Sequence, residues 1–182
     1  DAVMVCQLVD LASALKIPMG IEGIWSSKEQ AVPEIHLRNV TAREALEQII
    51  RQYPEYGWEE TPEVVHIYAR QTVDDQRNCL NIRLPHFVVK DLDLGGMSWM
   101  LKLEIKMFLH PERYVNGWGG GYGGYQPPEW KTPISLDVYD TSVRQILNSL
   151  ISLYGNSIWV SEVDPKEMME DGRFFAKHSY AP

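Results

Sequence analysis

The stretch NVTAREALEQIIRQYPEYGW, residues 39–58, decides how the first part of this chain folds. Thr41 followed three residues later by Glu44 is typical of a capping box, in which side chains satisfy free N–H groups at a helix start. A proline and a glycine follow and end the helix. The apolar residues recur at helical spacing on one face: Ala42, Ala45, Leu46, Ile49, Ile50 and Tyr53. The stretch therefore predicts a capped amphipathic helix that leads into a strand carrying Trp58.

A second stretch, VYDTSVRQILNSLISLYGNSIWV at residues 138–160, follows the same pattern. A strand at 134–139 leads through a short turn to a helix, and we expect Asp140 or Thr141 to cap it. The apolar positions that we match between the two helices are Leu46 with Ile146 and Ile50 with Leu150. The repeat spacing of about 100 residues lies outside the 20–50 residues of solenoid arrays, so it predicts duplication of a small domain.

Further elements are predicted around these two stretches. Helices are expected at 2–15 and 97–109, and strands at 17–25 and 34–40. On the helix at 97–109 we expect one apolar face, formed by Trp99, Met100, Leu103, Met107 and Phe108. A short sheet with one apolar face needs a cover, and amphipathic helices supply it.

The sequence therefore predicts an α+β protein with two similar small lobes, each a short sheet covered by amphipathic helices. The expected boundaries are 1–70 for the first lobe, 71–96 for a linker and connecting strand, 97–163 for the second lobe, 116–133 for a Gly-rich insertion within it, and 164–182 for a C-terminal tail.

Composition narrows the classes of partner. The chain has 182 residues, is 45% hydrophobic and 23% charged, and carries a formal charge of −8. A phosphate-rich partner would be repelled by this charge, which disfavours nucleic acid and anionic lipid surfaces. No apolar run approaches the roughly 20 residues that span a bilayer. Because the chain begins at Asp1, we expect a processed or trimmed product whose export signal would not be visible.

The two cysteines, Cys6 and Cys79, form no CxxC motif and lie far apart in the sequence. One interpretation is that both are small buried hydrophobic residues. The other is a disulfide, which would suit an exported protein. The sequence leaves both interpretations open.

The first stretch and the residues around it resemble the short N-terminal domain of secretins and TonB-dependent receptors, the STN domain. The resemblance covers residues 8–69 best, and residues 97–163 follow it only in outline, with a Gly-rich insertion that departs from the family. The residues on its motif positions are Leu37, Asn39, Val40, Thr41, Glu44, Ala45, Leu46, Ile49 and Ile50. The resemblance implies a non-enzymatic, periplasmic or otherwise extracytoplasmic module that binds a protein partner of the cell envelope; it leaves the oligomeric state open.

Motifs of catalysis and metal binding are missing from the sequence. No HExxH, P-loop or GxSxG occurs, and no cofactor is expected. His36 and His66 fall on predicted strands and could approach each other, but we expect both to face solvent and to bind no metal. Neighbouring carboxylates such as Asp74 and Asp75 are typical of charged turns, which leaves a carboxylate-based hydrolase as the weakest hypothesis.

The insertion contains GWGGGYGGY at 117–125, which is Gly-rich but lacks the lysine and hydroxyl residue of a phosphate-binding loop. It is expected either to fold its aromatic side chains back on the body or to present them to a ligand or partner. The candidate contact residues are Trp118, Tyr122, Tyr125 and Trp130. Aromatic faces suit sugars, peptides and proteins, so the alternative function is a carbohydrate- or small-ligand-binding protein.

Overall fold

A computed structural model describes residues 2–24, 35, 38–109, 111, 132–155, 157–163 and 173–178. Over these residues the protein is α+β, as predicted. The helices are α1 (Ala2–Leu15), α2 (Ala42–Arg51), α3 (Leu94–Leu109) and α4 (Val143–Tyr154). The strands are β1 (Met19–Ile24), β2 (Tyr56–Glu60), β3 (Val65–Ala69), β4 (Arg83–Leu92), β5 (Ile134–Ser142), β6 (Ser157–Val163) and β7 (Arg173–His178). A short 3-10 turn, Cys79–Asn81, precedes β4.

The strands form two sheets. One has five strands in the order β2-β3-β1-β6-β7, and the other is the antiparallel pair β4-β5. The central strand β1 pairs in parallel with β3 on one side and with β6 on the other. The hairpins β2–β3 and β6–β7 are both antiparallel. Strands that the sequence assigns to the first and second lobes therefore share one sheet.

Three helices are preceded by a turn that contains a residue with positive φ. In each, an Asn or Asp with positive φ lies two residues before the residue whose side chain caps the helix. The three pairs are Asn39 (φ 53°) with Thr41, Asp91 (φ 52°) with Asp93, and Asp140 (φ 43°) with Ser142. Asn and Asp adopt this left-handed conformation more readily than other residues with a side chain.

The cap of α4 is Ser142, so the prediction of Asp140 or Thr141 was wrong. The Ser142 side chain accepts a hydrogen bond from the Gln145 backbone N–H, and Gln145 Oε1 accepts from Ser142 N, which makes a complete capping box. Asp140 cannot cap because it forms the left-handed turn. The Thr141 hydroxyl instead donates to the carbonyl of Tyr139, at 2.7 Å.

Aligning the caps Thr41 and Ser142 relates the two segments α2–β2 and α4–β6 at an offset of 101 positions. We call residues at this offset corresponding positions. The earlier match of Leu46 with Ile146 is thus wrong by one residue, as is that of Ile50 with Leu150. The buried residues of α2, Ala45, Leu46, Ile49 and Ile50, correspond to Ile146, Leu147, Leu150 and Ile151 of α4, which are also buried.

Helix α3 differs from its prediction in start and orientation. It begins at Leu94 instead of residue 97, because Asp93 Oδ1 accepts a hydrogen bond from Gly96 N at 2.7 Å. Its buried residues are Leu94, Gly95, Met97, Leu101 and Ile105. The predicted apolar face was wrong, since Met107 and Phe108 are exposed.

Three strands also differ from expectation. β4 lies in the region expected to be a linker and connecting strand, yet it pairs along its length with β5. It passes through Pro85 because β5 is its only partner and the proline can face the unpaired side. β7 lies in the tail, where no strand was predicted. Of the strand predicted at 34–40, the described residues 35 and 38–40 are outside any strand.

The apolar core has two parts. One lies between the β4–β5 pair, α3 and α4, and includes Phe87, Met97 and Trp159. The other lies between α1, α2 and the five-stranded sheet, and includes Leu8, Leu46 and Tyr56. None of the helices in the described part of the chain has the length and apolar character needed to cross a membrane.

A buried charge cluster and a candidate interaction groove

A buried charge cluster lies where the five-stranded sheet meets α4. Glu22 of β1 and His66 of β3 are almost completely inaccessible, and Glu22 Oε1 lies 2.8 Å from His66 Nε2. The same carboxylate oxygen accepts from Arg144 Nε of α4 at 2.5 Å. One oxygen of Glu22 therefore connects two strands with a helix that begins 119 residues after β1 ends.

Two further side chains complete the cluster. His66 Nδ1 lies 3.2 Å from Glu59 Oε1, so the ring stands between two carboxylates. Carboxylates only accept hydrogen bonds, so both contacts are satisfied together when both ring nitrogens carry a proton. Arg144 Nη1 donates to Asn81 Oδ1 at 2.5 Å. The cluster thus links β1, β2, β3, the 3-10 turn and α4.

Charge pairing keeps Glu22 ionised despite its burial. Burial by itself raises the pKa of Glu22, but the hydrogen bonds and positive charges of His66 and Arg144 act in the opposite direction and outweigh it. The net effect is a pKa below the ordinary carboxyl value. Glu22 Oε2 and the neighbouring Ser161 Oγ of β6 are buried without a hydrogen-bond partner among the described residues.

The cluster has the character of a structural junction. Its central groups are closed off from solvent, so a substrate cannot reach them. The expectation that His66 faces solvent was wrong, because β3 is an interior strand of the sheet and the His66 side chain is buried. His36 lies outside the described residues. Over the described ranges, no three or more His, Cys, Asp or Glu side chains are grouped as ligands for a metal ion.

The cysteines are both free. Cys6 is exposed on α1 and Cys79 is buried in the 3-10 turn, so the disulfide interpretation was wrong and the buried interpretation holds for Cys79 alone. Burial, with the nearby charge of Glu22, raises the pKa of the Cys79 thiol to about 11. A thiol with this pKa stays protonated at neutral pH and is a poor nucleophile.

An open apolar groove of about 220 Å³ lies beside the edge strand β2, between the end of α1 and the start of α2. Its floor is formed by apolar residues of the sheet and both helices. The lining residues are Leu11, Leu15, Ile17, Met19, Thr41, Ala42, Arg43, Leu46, Trp58, Glu60 and Val65. A concave apolar site with a few polar groups at its rim is the usual form of a binding site.

The rim of this groove is charged and aromatic. The guanidinium of Arg43 lies over the ring of Trp58, with Cζ 5.0 Å from the ring centroid, and forms an ion pair with Glu60. Trp58 is half-buried, and Leu15 is 40% exposed. β2 is an edge strand among the described strands, so its outer backbone groups border the same area. Tryptophan and arginine are the residues that most often dominate protein–protein binding energy.

A second exposed surface is the outer face of the β4–β5 pair. The rings of His86 and Tyr139 stack there at 4.2 Å, and Asp137 Oδ1 lies 2.8 Å from His86 Nε2. Val88 is exposed on the same face. None of these residues lines the groove, whose concave apolar form makes it the better candidate site.

The residues predicted to contact a ligand, Trp118, Tyr122, Tyr125 and Trp130, lie outside the described residues. Trp58 and Trp159 both lie on strands; Trp159 is fully buried, and Trp58 is half-buried against the core. The sequence analysis did not identify Glu22 or Arg144 as residues of a site. The available signal was the pair Arg43 and Arg144, two residues after each cap, which aligns only once Ser142 is recognised as the cap.

Compared with known families, curated proteins and solved structures, this chain matches no family model and shows no significant match to a curated sequence or a solved fold.

Proposed function

We propose that this chain is a non-enzymatic protein-interaction module, and that the groove beside α2 is where it binds its partner. The observation that carries the proposal is the groove itself: a cavity of about 220 Å³ with an apolar floor and an Arg43–Trp58–Glu60 rim. Apolar area surrounded by charged and aromatic groups is typical of sites that recognise proteins or peptides.

The chemistry of the remaining described residues supports a binding role. The only histidine placed between carboxylates, among the described ones, is buried in the charge cluster, and the Cys79 thiol stays protonated. Neither group borders the groove. The groove residues that the structure describes include no histidine or cysteine, and their one carboxylate, Glu60, is paired with Arg43.

We further propose that the two capped segments derive from one ancestral unit and that the module is extracytoplasmic. The positive-φ residue two positions before each cap, the matching capping boxes and the corresponding buried positions of α2 and α4 support the duplication. The proposed location in the cell envelope, with a protein partner there, rests on the resemblance of residues 8–69 to the STN domain.

Site-specific photo-cross-linking tests the proposed function in cells that naturally contain the chain. A photoreactive amino acid is placed at Leu15, which lines the groove, and separately at Leu153, which is exposed on α4. We expect a discrete protein adduct from position 15 and none from position 153. Replacing Trp58 by Ala in the position-15 protein is expected to abolish that adduct.

Adducts of equal intensity from both positions, or adducts from position 15 that survive Trp58→Ala, would contradict the proposal. Turnover of an ester, peptide or glycoside substrate by the purified chain would contradict its non-enzymatic part, provided that the rate scales with the amount of protein.

A further inference from the structure

The groove has a counterpart in the other half of the chain, and there the corresponding surface is covered. Six groove residues have described counterparts at the offset of 101, among them Ala42 with Val143, Arg43 with Arg144, Leu46 with Leu147, and Trp58 with Trp159. Trp159 and Val143 are completely buried, whereas Trp58 and Ala42 are only partly so. The arginine side chains differ more, with Arg43 61% exposed and Arg144 15%.

The cover in the second half is a short segment of the chain itself, residues 78–84, with the sequence NCLNIRL. It comprises the 3-10 turn and the start of β4, and the turn packs against α4. Cys79 and Leu80 of the turn are buried, and so are Ile82 and Leu84, which follow where the turn opens into the strand. We call residues 78–84 the covering segment.

Two polar contacts hold the covering segment on α4. The Val143 N–H lies in the first turn of α4 and so has no partner within the helix. It donates to the Ile82 carbonyl at 2.9 Å. Arg144 Nη1 donates to the side-chain oxygen of Asn81 at 2.5 Å. The segment then continues as β4, which pairs Leu84 with Thr141 of β5.

In the first half, the corresponding region lacks such a partner among the described residues. Residues 38–41 are outside any strand, whereas the corresponding residues 139–142 form the end of β5. A strand conformation needs a neighbour to satisfy its backbone groups, and β4 supplies it only to β5. The groove and residues 38–41 together therefore form the counterpart, beside α2, of the surface that the covering segment occupies on α4.

From this correspondence we infer that the groove binds a segment of a partner protein with the chemistry and conformation of the covering segment, a single 3-10 turn that continues as a strand. The segment carries apolar side chains at alternate positions, and a residue with a side-chain carbonyl oxygen between the first two of them. In the bound partner segment, the backbone carbonyl at the position of Ile82 accepts a hydrogen bond from the Ala42 N–H. The side-chain oxygen at the position of Asn81 accepts a hydrogen bond from Arg43. Arginine has five N–H donors, so Arg43 can hold this oxygen while it remains paired with Glu60. The inference rests on the proposed function and names the partner chemistry for the same site.

A peptide of residues 76–86, with Cys79 replaced by Ser and both ends blocked, is the probe. It is titrated into the full chain, and binding is followed by tryptophan fluorescence and by isothermal calorimetry. We expect saturable binding of one peptide per chain. A peptide of the same composition in scrambled order is expected to bind at least tenfold more weakly.

Ala42→Pro is the deciding variant. Ala42 is the first helical residue after the Thr41 cap, where proline is well tolerated, and Thr41 already has the extended conformation that a following proline requires (φ −71°, ψ 163°). The substitution removes the one N–H that the inference assigns to the peptide. We expect a loss of affinity of at least tenfold with an unchanged melting temperature. The matched control is Leu153→Asp, a surface change on α4 that should leave affinity unchanged.

Arg43→Ala separates the side-chain contact from the backbone contact. The wild-type chain should prefer the peptide with Asn at position 81 over one with Leu there, and Arg43→Ala should remove that preference. The inference would be overturned if the scrambled peptide bound as tightly as the native one. It would also be overturned if Ala42→Pro and Arg43→Ala bound the native peptide as tightly as the wild-type chain does. Concentration-dependent dimerisation that Leu15→Asp abolishes while the peptide fails to bind would overturn it too, because a second copy would then be the occupant.

The two proposals fail in different ways. If the peptide does not bind but position 15 still cross-links a partner in a Trp58-dependent way, the inference is wrong and the proposed function stands. If position 15 also gives no Trp58-dependent adduct, the proposed function fails as well.

Discussion

Arg144 and Glu22 are 122 positions apart in the sequence, yet Arg144 Nε donates to Glu22 Oε1 at 2.5 Å in the interior of the protein. The same oxygen contacts His66, so α4 is attached to the sheet through a charge that burial alone would disfavour. A buried ion pair of this kind adds little net stability compared with an apolar pair, but removing one partner leaves the other charged and unpaired. The corresponding Arg43 pairs with Glu60 at the surface instead.

Replacing Arg144 by Ala should destabilise the fold by about 3–5 kcal/mol, the usual cost of breaking a buried pair. Chemical denaturation measures the change in the free energy of unfolding. Arg43→Ala is the matched control, and we expect a much smaller effect because both of its groups are more than half exposed. Equal losses for the two variants would show that the Glu22 contact has no special role in stability.

Stability should fall in acid in a way that depends on Glu22. Its pKa in the folded chain is lowered from the ordinary 4.5, mainly because the bonds from His66 and Arg144 outweigh burial. The unfolded chain therefore takes up a proton at higher pH than the folded one, so this stabilisation is complete above about pH 4.5 and is lost as the pH falls through the folded value. Urea denaturation between pH 3 and about pH 7 measures it.

In Glu22→Gln this part of the pH dependence should disappear, because the residue no longer titrates. Acid should therefore destabilise the variant less steeply than the wild-type chain. Parallel curves for the two proteins would mean that other carboxylates account for the acid sensitivity.

The two thiols should react very differently. In the folded protein a thiol reagent is expected to modify Cys6, which is exposed, and to leave Cys79 unmodified, since burial raises its pKa to about 11. Absorbance with a disulfide reagent should count one thiol per chain at about pH 8, where only an exposed thiol is reactive, and two after denaturation. Cys6→Ser should leave no reactive thiol in the folded state; a rapid reaction in that variant would contradict the burial of Cys79.

Gly20 of β1 provides a test of how tightly this strand packs against β6, and Gly57 of β2 provides the comparison. A Cβ on Gly20 would lie 2.5 Å from the Trp159 ring, which is fully buried and has no room to move. Gly20→Ala should therefore destabilise the fold by about 1–3 kcal/mol, the usual cost of overpacking. A Cβ on Gly57 would meet the Tyr68 ring at 2.7 Å, but this ring is only half-buried and can turn aside. Gly57→Ala should be the milder change in thermal denaturation, and the reverse order would contradict this packing.

Much of the fold could be predicted from local patterns. The capping residues and apolar spacing of residues 41–53 define α2 completely, and the strands around Trp58 and Trp159 follow from the glycines and alternation beside them. The cap of α4 was harder, because Asp140, Thr141 and Ser142 are all residues that cap helices. The hydrogen bond from Gln145 N–H to the Ser142 side chain shows which of them does so, and Asp140 forms the left-handed turn before it.

The sequence alone determined the local elements of this protein, because caps, turns and apolar periodicity act over a few residues. Tertiary structure decided which elements meet. In the sequence, Glu22 is a single acidic residue in a predicted strand, and Arg144 is a single basic residue near the start of a helix. Nothing in the residues around either one indicates that they form a pair. Contacts over more than a hundred positions depend on how strands from both halves align in one sheet. That alignment also buries Trp159 completely and leaves Trp58 at the rim of an open groove.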